Sequence, residues 1–211
     1  MSYIEFFFRY FHVLAGIVWI GMLYYFNFVQ TEYFKEAEAS AKSDAMAKLA
    51  PRALWWFRWG AMLTFLTGAY LFHKIGAFGM AMPAIWVGAL AGTFMFLNVW
   101  LVIWPNQQIV LGMKEGDGPA AAARAGLASR TNTLFSGPML LGMLGSKHIA
   151  AISTQVGGSV SDTGLFTAMC IIIVLEINAL FGGMGPMKSV MGVVHCSLAL
   201  MLAILGILLH L

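Results

Sequence analysis

Five histidines have the most direct route to metal or proton chemistry in this chain. His12 stands inside the run Arg9–Gln30, RYFHVLAGIVWIGMLYYFNFVQ, which holds no proline and no acid. Such a run is long enough to cross a bilayer, which takes about 20 apolar residues. Wound at about 100° per residue, it brings His12, Trp19 and Gln30 nearly into line, with Arg9 and Asn27 beside them. Polar groups facing lipid are costly, so that stripe should face protein or a cofactor. An imidazole so placed is a candidate axial ligand to haem iron. Two imidazoles at similar depth would complete such a site, with small residues such as Gly16 and Gly68 admitting the macrocycle. His148 is the first choice of partner, and His73 or His195 the alternatives; Trp19 offers a ring to the macrocycle edge. The plainer reading is a hydrogen-bonded core or interfacial histidine, and it is preferred for His73 and His210, which lie near helix ends.

A second group is expected at the opposite depth. Asn27 and Gln30 end the first apolar run, Arg58 opens the second, and Asn98, Asn106 and Gln107 stand around the end of the third. Arg130 and Asn132 open the fourth, and Glu176 is the one acid deep within an apolar segment. Arg58 is a reasonable partner for Glu176. Ionisable residues within a membrane are functional candidates by default. Each alone is as well explained by helix–helix hydrogen bonds, worth about 1 kcal/mol. Together they suggest a pocket for a small molecule or a quinone, with Arg58, Asn106, Arg130, Asn132 and Glu176 as catalytic candidates.

The elements that must position these groups are helices. The 211 residues are 60% hydrophobic and 10% charged, with mean hydropathy +0.81. A soluble domain would be roughly 45–50% apolar and 25% charged. The chain therefore reads as an all-α, polytopic membrane helix bundle with a single domain over 1–211. About six spans are expected, near 4–29, 53–75, 82–104, 131–148, 163–181 and 187–209. Two polar helical loops join them at the membrane surface, Thr31–Arg52, ended by Pro51, and Asn106–Arg130. Gly76–Gly79 and Gly182–Pro186 read as turns, and Ser153–Ser161 as a Gly/Ser loop. Pro105 should close the third span. Trp55, Trp56, Phe57 and Trp59 form an interfacial belt.

Lys35, Lys42, Lys48, Arg52, Lys114, Arg124, Arg130 and Lys188 fall in loops one, three and five. Loops two and four hold Lys74 and Lys147 alone. The excess marks the cytoplasmic side of a bacterial inner membrane and leaves both termini in the periplasm. His12 then lies about eight residues from the outer end of its helix, roughly 12 Å. The net charge of +3 points to no nucleic-acid partner. The first span is too long for a cleavable signal peptide. Cys170 and Cys196 read as buried small hydrophobes, and the absence of CxxCH argues against c-type haem. No nucleophile triad or phosphate loop is visible, and the methionines read as packing.

Three stretches, RYFHVLAGIVWIG, NVWLVIWPNQQIVLGMKEGDGP and SRTNTLFSGPMLLGMLGSKH, resemble the N-terminal membrane domain of the bacterial membrane-bound urate oxidase (urate hydroxylase) family. HVxAGIxWIG and NVxxVIxPNQ together carry the likeness, which covers most of the chain up to His148. The matching positions are His12, Asn98, Pro105, Asn106, Gln107, Arg130, Asn132 and His148. In members with the full architecture a cytochrome c domain follows, and the chain ending at Leu211 is expected to lack it. The resemblance implies oxidation of a small-molecule substrate on the cytoplasmic side, with electrons leaving outward to a separate cytochrome c or a larger respiratory complex. The first helix is also weakly similar to those of small haem-b membrane proteins such as the oxygen-independent protoporphyrinogen oxidases. A haem b redox protein is the leading expectation. A non-catalytic accessory subunit is the alternative, and a carrier using Arg58 and Glu176 a third, disfavoured by the lack of inverted repeats.

Overall fold

Serines start three of the helices. Ser2 Oγ accepts from Glu5 N at 3.2 Å and opens α1, Tyr3–Tyr24. Ser161 caps α8, Asp162–Phe181, and Ser189 caps α9, Val190–His210, each by accepting a backbone N–H three residues on. A side-chain oxygen there satisfies one of the donors that a helix start leaves open. The computed structural model describes residues 2–77, 82–155 and 160–211. Among these every regular element is helical, so the all-α expectation holds. Parts of the Gly76–Gly79 turn and of the Ser153–Ser161 loop fall outside the described residues.

Helix α1 runs without interruption into a π-helical segment, Tyr25–Gln30, and then α2, Thr31–Glu36. The first span thus takes in the start of the charged stretch expected to lie on the surface. The chain turns at Ala37 and Glu38, both extended, before α3, Ala39–Lys48, and α4, Ala50–Lys74. Pro51 stands in the first turn of α4 and does not end a helix. The missing N–H costs nothing there, because a first-turn donor has no intrahelical partner. Helix α5, Ala84–Leu97, passes into a second π-helical segment, Asn98–Ile103, and then α6, Trp104–Val110. Pro105 does not close the span either: it follows directly on the π-helical segment, and the helix continues through it to Val110. The alanine-rich helix and the expected fourth span are one helix, α7, Gly118–Gln155, which carries Pro138 within it.

Among the described residues four stretches are long and apolar enough to cross a membrane: Tyr3–Glu36, Ala84–Val110, Asp162–Phe181 and Val190–His210. Helices α4 and α7 have the length as well, with more polar sequences. Large apolar side chains stand exposed along α1, α4, α8 and α9, among them Ile17, Leu66, Phe166 and Leu202. In water such faces would promote association; in lipid they are the expected exterior.

The chain divides into two compact units. One comprises Met1–Leu71 and Phe96–Arg130, the other Phe72–Met95 and Thr131–Leu211. The first buries Trp19, Leu23, Leu54, Phe57, Val99 and Ile103. The second buries Val87, Met95, Phe135, Ile172, Val193 and Ile204. In the second, Gly88 of α5 and Gly142 of α7 meet backbone to backbone; a Cβ on Gly142 would collide with the Gly88 nitrogen. Ser197 Oγ of α9 accepts from Gly137 N of α7 at 3.2 Å. Cys170 and Cys196 are free and partly exposed, short of the full burial expected.

Candidate functional site

The first unit holds two polar constellations. One, at the depth expected to be outer, is His12. Its ring lies on α4 where Gly68 offers no side chain: a Cβ there would sit 2.9 Å from His12 Cε1. Nδ1 is 2.9 Å from the Thr64 carbonyl oxygen and 3.1 Å from Thr67 Oγ1. A carbonyl can only accept, so Nδ1 carries the hydrogen. In the neutral ring Nε2 is then the nitrogen with a lone pair. Threonine is free to serve here because Thr67 Oγ1 also reaches the Leu63 carbonyl, 2.6 Å away, as helical threonines do. Phe8 and Tyr70 stack at 3.9 Å and hold the same two helices together one turn away.

The other, at the depth expected to be inner, is built by the two π-helical segments with α4 and the part of α7 around Ser129 and Arg130. A π-helical turn widens the ring to an i→i+5 bond and re-aims the side chains beyond it. Thr31 N bonds Phe26 O in the first segment, and Trp104 N bonds Val99 O in the second. The first carries Asn27 and Gln30; the second carries Asn98 and Trp100. Asn27 is buried and donates Nδ2 to Leu23 O at 2.9 Å and to Ser129 Oγ at 2.8 Å. That bond ties α1 to the residue beside Arg130. Phe26 packs edge-on against Phe57 of α4. Arg58 donates Nε to the Leu54 carbonyl and lies 3.4 Å over the Trp104 ring, with Trp100 5.6 Å away. A cation on an indole face is attracted by the ring quadrupole.

Three polar atoms of this constellation are buried without a hydrogen-bond partner among the described residues: Gln30 Oε1, Trp100 Nε1 and Arg130 Nη1. Trp19 Nε1, higher on α1, is a fourth. Arg130 is 4% exposed, and Glu32 is the acid whose charge acts on it. Leaving a buried donor or acceptor unpaired costs about 1–3 kcal/mol, more for a charged group. Native proteins tolerate such groups where something else binds them. The three are one acceptor and two donors, one donor being cationic.

In the first unit, then, Asn27 bonds Ser129 beside Arg130, while Arg58 packs on Trp100 and Trp104. Asn106 is different: its Nδ2 donates to the Val102 carbonyl of its own helix at 2.7 Å. Asn132 and Glu176 are buried in the second unit, where Asn132 Nδ2 holds Met95 O at 2.9 Å. His73, His148 and His195 also belong to the second unit, and each is exposed. Among the described residues no group of three or more His, Cys, Asp or Glu could hold a metal ion. Ser129, Trp104, Thr64 and Thr67 are functional neighbours that the sequence reading does not name, whereas Gly68 is named there as a small residue. The cradle of Thr64, Thr67 and Gly68 had a legible signal, since i, i+3 and i+4 share a helix face.

These features define a polytopic helical membrane protein with polar groups buried in each of its two units. The Urate oxidase N-terminal family model matches residues 74–205, more than half of the chain, and the chain belongs to that family. Neither a curated protein nor a solved structure matches it. The matched segment reaches through α8 and into α9, further than the resemblance up to His148, and starts at the end of α4. Asn98, Asn106, Arg130, Asn132, His148, Glu176 and His195 lie within it; His12, Trp19, Asn27 and Arg58 lie before it.

Proposed function

We propose that this chain is a membrane redox domain of the urate oxidase type, binding haem b through His12 and oxidising a small molecule at the inner constellation. The observation that carries the reading is the fixed tautomer of His12. With Nδ1–H held by the Thr64 carbonyl, Nε2 keeps its lone pair and its direction, as in metal-bound histidines whose other ring nitrogen donates to a carbonyl. The residues fit the group on this count, and Trp19 supplies a buried, unpartnered N–H on the same helix. A haem held there would supply a one-electron centre on the outer side. The inner groups have a separate task. Arg130 and Trp100 donate to acceptor atoms of a substrate, Gln30 accepts from its N–H or O–H, and the Asn27–Ser129 bond holds the backbone that aims them. Electrons pass to a separate cytochrome c or a respiratory complex. Urate is the first substrate to test.

The test is the visible spectrum of the purified protein, oxidised and dithionite-reduced, beside His12→Ala. A haem α-band is expected in the parent, and its loss or a high-spin spectrum in His12→Ala. His73→Ala, His148→Ala and His195→Ala, measured alongside, identify the second axial group. A colourless parent, or an unchanged spectrum in His12→Ala, refutes the reading and leaves an accessory subunit in its place.

A further inference from the structure

The first two turns of α4 carry a groove that the redox reading does not use. It is lined by Pro51, Arg52, Trp55 and Trp56 and has a volume of about 330 Å³, at the low end of the range for small-ligand sites. We propose that it seats the headgroup of an anionic phospholipid.

Three observations converge on that occupant. The first is position. The groove stands at the start of a helix whose later turns expose Leu63 and Leu66, an apolar face suited to lipid. Trp55 and Trp56 are 48% and 57% exposed, and Trp59 adds a third large ring one turn on. Tryptophans at this level of a helix lie among headgroups, where the ring meets apolar chains and the N–H meets water and phosphate. The second is geometry. Trp55 and Trp56 meet edge to face at 5.0 Å, and Trp55 leans on Trp59 at 6.3 Å, so the walls are braced and present indole faces and edges. Pro51 removes a rotatable backbone position from the rim and keeps it rigid.

The third is charge. Arg52 is the one ionic group lining the groove, and it makes no ion pair among the described residues. Lys48, one turn before, is already paired with Asp44. A guanidinium offers a planar fork of donors that matches two phosphate oxygens, and its stem lies easily along apolar walls. A zwitterionic lipid would bring its own cation to the same place and lose part of that attraction. The acyl chains would continue down the exposed face of α4.

The experiment is native mass spectrometry of the detergent-solubilised protein, titrated with phosphatidylglycerol or phosphatidylcholine. The parent and Arg124→Gln, which removes an exposed cation elsewhere, should retain phosphatidylglycerol in preference. Arg52→Gln should lower that retention about fivefold, the weight of one basic residue at an anionic surface. Trp56→Ala should lower it as well, and Arg52→Lys should recover much of it. Equal retention by Arg52→Gln and the parent overturns the proposal, and so does equal retention of the two lipids. Displacement of the lipid by soluble glycerol phosphate at the same concentration also overturns it, because the site would then recognise a free phosphate. None of these readouts depends on haem.

Discussion

Replacing Gly68 by alanine tests the His12 cradle with a single added carbon. The new Cβ would lie 2.9 Å from His12 Cε1 and 3.3 Å from Nδ1. Carbon atoms settle at about 3.5–4.0 Å, so the ring must retreat by roughly 0.6–1 Å. The bond from Nδ1 to the Thr64 carbonyl, now 2.9 Å, would then stretch beyond about 3.5 Å and cease to count as a hydrogen bond. Overpacking of this kind costs about 1–3 kcal/mol. Alanine otherwise favours a helix over glycine by about 1 kcal/mol, so the net loss expected is up to about 2 kcal/mol. Gly21→Ala is the control, because a Cβ there meets nothing within 4 Å; it should be neutral or stabilising. Thermal unfolding in detergent reads the stability, and the visible spectrum reads the axial ligand. Gly68→Ala should unfold earlier than Gly21→Ala and shift or bleach any haem band. If Gly68→Ala unfolds no earlier than Gly21→Ala and keeps the parent spectrum, His12 is not held by this cradle and the tautomer argument fails.

Arg130→Met should leave the fold at least as stable as the parent, because a buried cation with an unpartnered Nη1 is exchanged for an apolar side chain of similar length. It should at the same time abolish substrate binding; retention of turnover would show that Arg130 does not face the substrate. For topology, a reporter active only in the cytoplasm, fused after Leu211, should be silent if the basic loops lie inside. Activity there would invert the assignment of inner and outer constellations.

Much of this protein was legible without a structure. Composition and apolar run length determine a helical membrane protein, because in lipid each backbone polar group must be satisfied within its own segment. The stretch Arg9–Gln30 showed its polar stripe because helical periodicity is a local property. His12 on one face and Gly68 as a gap could both be read from spacing. What spacing could not reveal was the partner: Nδ1 meets Thr64, 52 positions away, only because α1 and α4 pack there. The two π-helical segments were equally hidden. A run such as YFNFVQ or NVWLVI has nothing in it that distinguishes i→i+5 bonding from i→i+4. The prolines show the same division. Proline is disfavoured in a helix interior, so Pro51 and Pro105 read as stops; yet Pro51 stands in a first turn, where its missing N–H is not needed, and Pro105 is carried within a continuous helix directly after a π-helical segment. Which turn a proline occupies depends on where the preceding segment ends, and that boundary is set by tertiary contacts. The polar residues of the inner level were identified as a group by depth alone; the structure divided them, with Asn27, Arg58 and Arg130 in one unit and Asn132 and Glu176 in the other. Depth along a span follows from counting residues, whereas lateral neighbours follow from which helix faces pack together.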